Sequence, residues 1–247
     1  MSNLIQRNIQ HVRDRITQAC QRVGRDPQNI KLLLVTKTVE PERIREAVRY
    51  GLTQLGENRV QEARRKVKQM KGDAPPLNWH FIGHLQSNKV NKVVRFASMV
   101  QSIDRMKIVR KMNRRLKKVD KRMDVLVQVN VSGEESKYGF HPDQTVDFIR
   151  EASDYPLNIR GLMTIGLFSK DWPKVRAGFR RLRELRDEVA AKDIEGVAMD
   201  YLSMGMTNDF EIAIEEGANM IRVGRAVFGE RDHPDSYYWP GIEETAS

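Results

Sequence analysis

Lys37 stands at the end of an apolar run, in the segment Lys31-Leu-Leu-Leu-Val-Thr-Lys37. An amine held at the rim of an apolar core is poorly hydrated as an ammonium, so its pKa falls and it becomes a nucleophile toward an aldehyde. Taken alone, a lysine at a strand end is more often a surface charge. A second group lies far along the chain, in Arg222-Val-Gly224-Arg225-Ala-Val-Phe-Gly229. Gly224 lets the backbone approach an anion, and the N–H groups that follow can point at a phosphate; a plain tight turn is the alternative. Ser203, in Ser203-Met-Gly-Met206, offers a hydroxyl beside that turn, or else opens a turn and helix capped by Thr207 or Asn208. His80 and His84 fall on one face of a strand about 13 Å apart at ~3.3 Å per residue, too far for a joint metal site. Cys20 occupies an apolar helical position and reads as a buried thiol.

These residues need a frame that brings distant segments together. Apolar runs at 31–36, 54–57, 80–83, 99–103, 125–130, 159–164, 201–203 and 220–223 read as strands. Between them, helical patterns cover 41–50, 58–71, 87–97, 105–120, 142–154, 171–192 and 207–217, after an opening helix over 3–23. Strands separated by helices imply right-handed parallel βαβ units. Eight of them predict an α/β fold, a single-domain (β/α)8 TIM-type barrel, with an extra N-terminal helix. The barrel is expected over residues 1–231 and a tail over 232–247. The C-terminal strand ends would then converge at one mouth. They carry Lys37, Glu57, Asn58, His84, Asp104, Asn130, Met163, Thr164, Ser203, Arg222 and Gly224.

Composition narrows the partners. The chain has 247 residues, 40% of them hydrophobic, and a net charge of +10. Residues 105–122 hold ten Lys and Arg against Asp120 alone, so one amphipathic helix carries net +9 and the remaining chain is almost neutral. Such a run is usually a solvated face, with an acidic partner as the alternative. No interleaved aromatics or zinc-finger spacing accompany it, so nucleic-acid reading has no support. No apolar run reaches the ~20 residues of a membrane span and no signal peptide opens the chain. The expectation is a soluble cytoplasmic protein, a monomer or weak dimer.

Seven motifs occur in order: Val35-Thr-Lys37-Thr38, Gly56-Glu-Asn-Arg-Val-Gln-Glu62, His80-Phe-Ile-Gly-His-Leu-Gln-Ser-Asn-Lys89, Ser102-Ile-Asp104, Gly161-Leu-Met163, Leu202-Ser-Met-Gly-Met206 and the 222–229 turn. Together, over residues 5–231, they resemble the pyridoxal phosphate homeostasis protein family. The resemblance implies a fold-type-III barrel similar to the N-terminal domain of alanine racemase, with pyridoxal 5'-phosphate (PLP) held as a Schiff base on Lys37. It implies that Ser203, Gly224 and Arg225 hold the phosphate, that Arg222 faces the pyridine nitrogen, and that Asn58 and Met163 flank the ring. Relatives commonly carry Thr at the position of Arg225 and Pro at that of His84, which leaves a backbone N–H, not a hydroxyl, at 225. The implied role is PLP homeostasis with no established turnover and with PLP-dependent apoenzymes as partners. The alternative is a PLP-dependent amino-acid racemase, disfavoured because only 18 residues follow Gly229, too few for the second domain that supplies a second base.

Overall fold

A computed structural model describes residues 4–134 and 137–230. Eight parallel strands close into a barrel in sequence order: β1 (Lys31–Val35), β2 (Gln54–Glu57), β3 (Asn78–Phe81), β4 (Met99–Ile103), β5 (Met123–Gln128), β6 (Leu157–Met163), β7 (Val197–Ser203) and β8 (Met220–Val223). The helices between them are α2 (Pro41–Arg49), α3 (Val60–Gln69), α4 (Val90–Val93), α5 (Met106–Lys117), α6 (Pro142–Ser153), α7 (Trp172–Ala190) and α8 (Phe210–Glu215). Proline opens α2 and α6, where its missing N–H costs nothing.

The ring closes unusually. Among the described residues β8 is followed by the four-residue α9 (Arg225–Phe228), and the opening helix α1 (Leu4–Arg22) packs on α8, α9 and α2. Its apolar stripe, Ile5, Ile9, Val12, Ile16 and Cys20, is buried there. Asn8 Nδ2 donates to Val227 O at 2.9 Å, while Arg15 and Arg22 pair with Glu211 and Glu215 of α8. The sequence-expected tail over 232–247 lies outside the described residues.

Several elements have other bounds than the sequence reading gives, β7 most of all among the strands. β7 begins at Val197, four residues earlier than its apolar run suggests, because Val197 pairs with Ile159 of β6 before an irregular register and pairing resumes at Tyr201, while its outer residues stay half exposed. The β6 register shifts at Gly161, whose φ is 145°. A Cβ there would lie 1.9 Å from Tyr201 O, so the two strands approach this closely only at glycine. The expected 87–97 helix is a 3-10 turn, Ser87–Lys89, followed by the single-turn α4. Neither of the expected residues caps α8; that place falls to Asp209, whose Oδ1 accepts from Met206 N at 2.6 Å.

Most apolar side chains pack between strands and helices, as in other barrels. Inside the barrel, Leu33, Val35, Ile82 and Met220 form one small cluster and Met99, Leu126 and Met163 another. Polar side chains occupy the rest of the interior.

Candidate functional site

The interior polar groups form one chain. His80 Nε2 lies 3.0 Å from Gln54 Oε1, and Gln101 Nε2 lies 2.9 Å from His80 Nδ1. Gln101 Oε1 in turn accepts from Ser203 Oγ at 2.8 Å, and Ser203 Oγ accepts from Arg222 NH1 at 2.9 Å. Arg222 also donates to Ser203 O at 2.9 Å and Thr164 O at 2.7 Å. The amide of Gln101 therefore presents N–H to His80, which fixes a neutral ring protonated at Nε2. Burial, then the charge of Lys31, push the His80 pKa down to about 4, opposed by Asp124.

That shift carries a pH signature. The folded pKa lies below the unfolded 6.5, so this stabilisation is present above pH 6.5 and is lost as pH falls through about 4. Its size is about 3 kcal/mol. Urea unfolding of the intact protein should lose that amount between pH 6.5 and 4, whereas His80→Gln should start less stable and show a flatter dependence. Identical slopes in the two proteins would remove His80 as the cause.

Above this chain, at the C-terminal strand ends, lies a cavity of about 710 Å³, within the range of small-molecule sites. Lys37, Asn58, Met163, Arg222, Gly224 and Arg225 all line it. Lys37 follows β1 and is only 3% exposed, despite its charge. Arg222 projects from β8 and is buried; burial lowers its pKa to about 10, so it stays cationic at neutral pH, and Asp209 on the cavity wall opposes the shift. Asn58 follows β2 and is fixed by a close approach: a Cβ at Gly83 would fall 2.2 Å from Asn58 O. Asn58 lines the cavity, while its Oδ1 is buried with no hydrogen-bond partner. At the far side, Val227 N and Phe228 N both donate to Gly224 O, so α9 starts at Gly224, the geometry at which N–H groups lack acceptors one turn back.

Ser203 departs from its expected place. It is fully buried, its hydroxyl is committed to Gln101 and Arg222, and it does not line the cavity. The hydroxyl on the β7–α8 wall is that of Thr207. His84 also lies off the cavity, with Nδ1 3.0 Å from Asp104 Oδ2 and its ring stacked on Tyr138. Sequence reasoning missed the outer wall, where Leu167, Phe168 and Trp172 of the β6–α7 connection face Thr207, Asn208 and Asp209. Arg15 of α1 joins them, held by Glu211 and Thr207 O. Loops after strands carry no periodicity, so only their position after β6 and β7 pointed to them.

Residues 5–232 match the family described as "Alanine racemase, N-terminal domain". The pyridoxal phosphate homeostasis protein of Aquifex aeolicus is 43% identical over 226 residues, spanning 91% of this chain and 97% of that protein. The structure of PipY from Synechococcus elongatus, with PLP bound, superposes with a TM-score of 0.77 at 30% identity, covering 87% of this chain and all of PipY. Alanine racemase from Clostridium difficile shares the fold at 14% identity and a TM-score of 0.69, with 94% of this chain and 58% of the racemase covered.

Proposed function

The chain belongs to the pyridoxal phosphate homeostasis protein family, and from that premise we propose that it binds PLP as a Schiff base on Lys37 and serves the intracellular homeostasis of the cofactor, and through it of amino and keto acids. The observation that carries this reading is a buried lysine opening on the same cavity as Arg222 and the Gly224 turn. When bound, PLP supplies an aldehyde and a conjugated pyridine ring. Lys37 Nζ, as a neutral amine, adds to the aldehyde carbon and one water leaves. Asn58 lines the cavity and carries an unpartnered amide oxygen, so its side chain would meet the polar edge of the ring, which fits this group. Arg222 meets the ring nitrogen as a donor only, so that nitrogen stays unprotonated and the ring is a weak electron sink. Gly224 and Arg225 hold the phosphate through backbone N–H groups, while Met163 flanks the ring. Ser203 supports the site through Arg222.

Retention without turnover follows from that arrangement, and PLP-dependent apoenzymes are the recipients we assign, in the cytoplasm, from a monomer. Among the described residues no helix is long and apolar enough to cross a membrane. The test is a spectral titration: added PLP should generate a band near ~420 nm that borohydride removes while fixing the cofactor to the chain. A protein that gains no such band refutes the cofactor assignment. Racemisation of an amino acid at an ordinary ~1–10³ s⁻¹ would replace the carrier reading by the racemase one.

The basic helix α5 stands apart from the cavity. It buries Ile108, Val109, Met112 and Leu116, and none of its residues lines the site. Replacing Lys107, Arg114, Lys118 and Lys121, all exposed, by Glu should leave PLP affinity within about twofold at 0.15 M salt, where exposed charges are screened beyond ~8 Å. A larger change in the titration would tie the helix to the cofactor.

A further inference from the structure

We propose that Glu62 and Lys66 are positioning residues for Lys37: a buried ion cluster grips the backbone on both sides of Lys37 and sets the direction in which its amine enters the cavity. This rests on Lys37 being the attachment point of PLP. Lys66 of α3 is completely buried, and its ammonium donates to Thr36 O at 2.5 Å, Glu57 Oε1 at 2.7 Å and Glu62 Oε1 at 2.6 Å. Thr36 Oγ1 donates to Glu57 Oε1 at 2.6 Å, and Thr38 N donates to Glu62 Oε1 at 2.5 Å. The residues before and after Lys37 are thus tied to one cluster, none of whose members lines the cavity.

The backbone shows what the cluster holds. Val39 N donates to Thr36 O at 3.0 Å, which closes a turn with Lys37 and Thr38 at its two central positions. Thr38 has φ 66°, the left-handed conformation that the second central position of such a turn ordinarily reserves for glycine. A β-branched residue adopts it at a cost, and persists there only when its surroundings hold it. The carboxylate of Glu62 on the Thr38 N–H is that hold. Without it Thr38 relaxes to negative φ, the peptide between 37 and 38 rotates, and the Lys37 amine leaves its line of approach to the aldehyde. A displacement of about 1 Å costs up to ~100-fold in a step that depends on alignment.

Pyridoxamine 5'-phosphate is the discriminating probe, because it carries the same ring and phosphate but no aldehyde. Glu62→Ala should bind PLP at least tenfold more weakly than the unaltered protein while binding pyridoxamine 5'-phosphate equally well. Glu62→Gln, whose amide oxygen still accepts from Thr38 N, should restore PLP binding to within about threefold of the unaltered protein. Glu62→Asp keeps the charge beside Lys66 but shortens the reach to Thr38 by one methylene, so it should show an intermediate loss; it carries the test if the Ala variant fails to fold. Equal weakening of both ligands, or unchanged PLP binding in the Ala or Asp variant, overturns the proposal. Absence of borohydride-fixed PLP on Lys37 in the unaltered protein instead overturns the attachment reading on which it rests.

Discussion

Lys37→Ala, titrated with PLP, develops no band near ~420 nm and retains no cofactor on the chain after borohydride. Among the cavity residues only Lys37 and Lys170 carry primary amines. Lys170 lies on the outer wall, in the half-exposed β6–α7 connection, whereas Lys37 adjoins the floor formed by Val35 and Arg222. A phosphate held at the Gly224 turn would still bind without the imine, so pyridoxamine 5'-phosphate should keep its affinity while that for PLP drops by at least about 100-fold, or ~3 kcal/mol. A Lys37→Ala protein that still fixes PLP with borohydride would move the attachment elsewhere, with Lys170 the first position to sequence.

Arg222→Met should be the most damaging single change to the site that keeps its volume. Methionine fills the space of the arginine stem, but Thr164 O, Ser203 O and Ser203 Oγ lose their common donor in the barrel interior. Ser203 O keeps Thr164 N at 3.1 Å, but Thr164 O and Ser203 Oγ lose a charged donor, at about 1–3 kcal/mol each, partly recovered by relaxation. The expected loss is about 3 kcal/mol, or roughly 10 °C in Tm for a chain of this size. Because Ser203 and Gln101 continue the same chain toward His80, the change is expected to reach the middle of the barrel. PLP affinity should fall about tenfold as the ring nitrogen loses its donor. Calorimetry and spectral titration separate the two effects. An unchanged Tm would mean that the hydrogen-bond chain contributes little, and an unchanged titration would remove Arg222 from the ring.

Much of the architecture was legible because parallel barrels repeat one signal. Apolar runs such as Leu33–Val35 and Val125–Val127 are buried at every position, so they read as continuous runs whatever lies around them. β7 was the partial exception. Its first residues, Val197 to Asp200, are half exposed or exposed, and the segment is anchored to β6 at Val197 and again from Tyr201 rather than marked by its own character. Likewise 87–97 has a helical pattern of apolar residues, yet only Val90–Val93 form an α-helical turn.

Lys37, Asn58, Met163, Arg222, Gly224 and Arg225 could be collected from sequence because each follows or ends a strand, and the barrel sends all strand ends to one mouth. Ser203 satisfied the same rule and still lies outside the cavity. Alternation along a strand states which side a residue takes, but not how deep in the barrel its side chain sits or which neighbour claims its proton. Sequence alone thus determined the order of the elements, the end of the barrel at which the cavity lies and the concentration of charge in segment 105–122, whose helix α5 is shorter than that segment, since all three follow from local periodicity and charge. Only the tertiary structure decided that Arg222 occupies the hydroxyl of Ser203, that Gln101 sets the tautomer of His80 and that Lys66 and Glu62 tie down Thr36 and Thr38 on the two sides of Lys37. Those are contacts between residues 19 to 30 positions apart, and their geometry exists only once the barrel has closed.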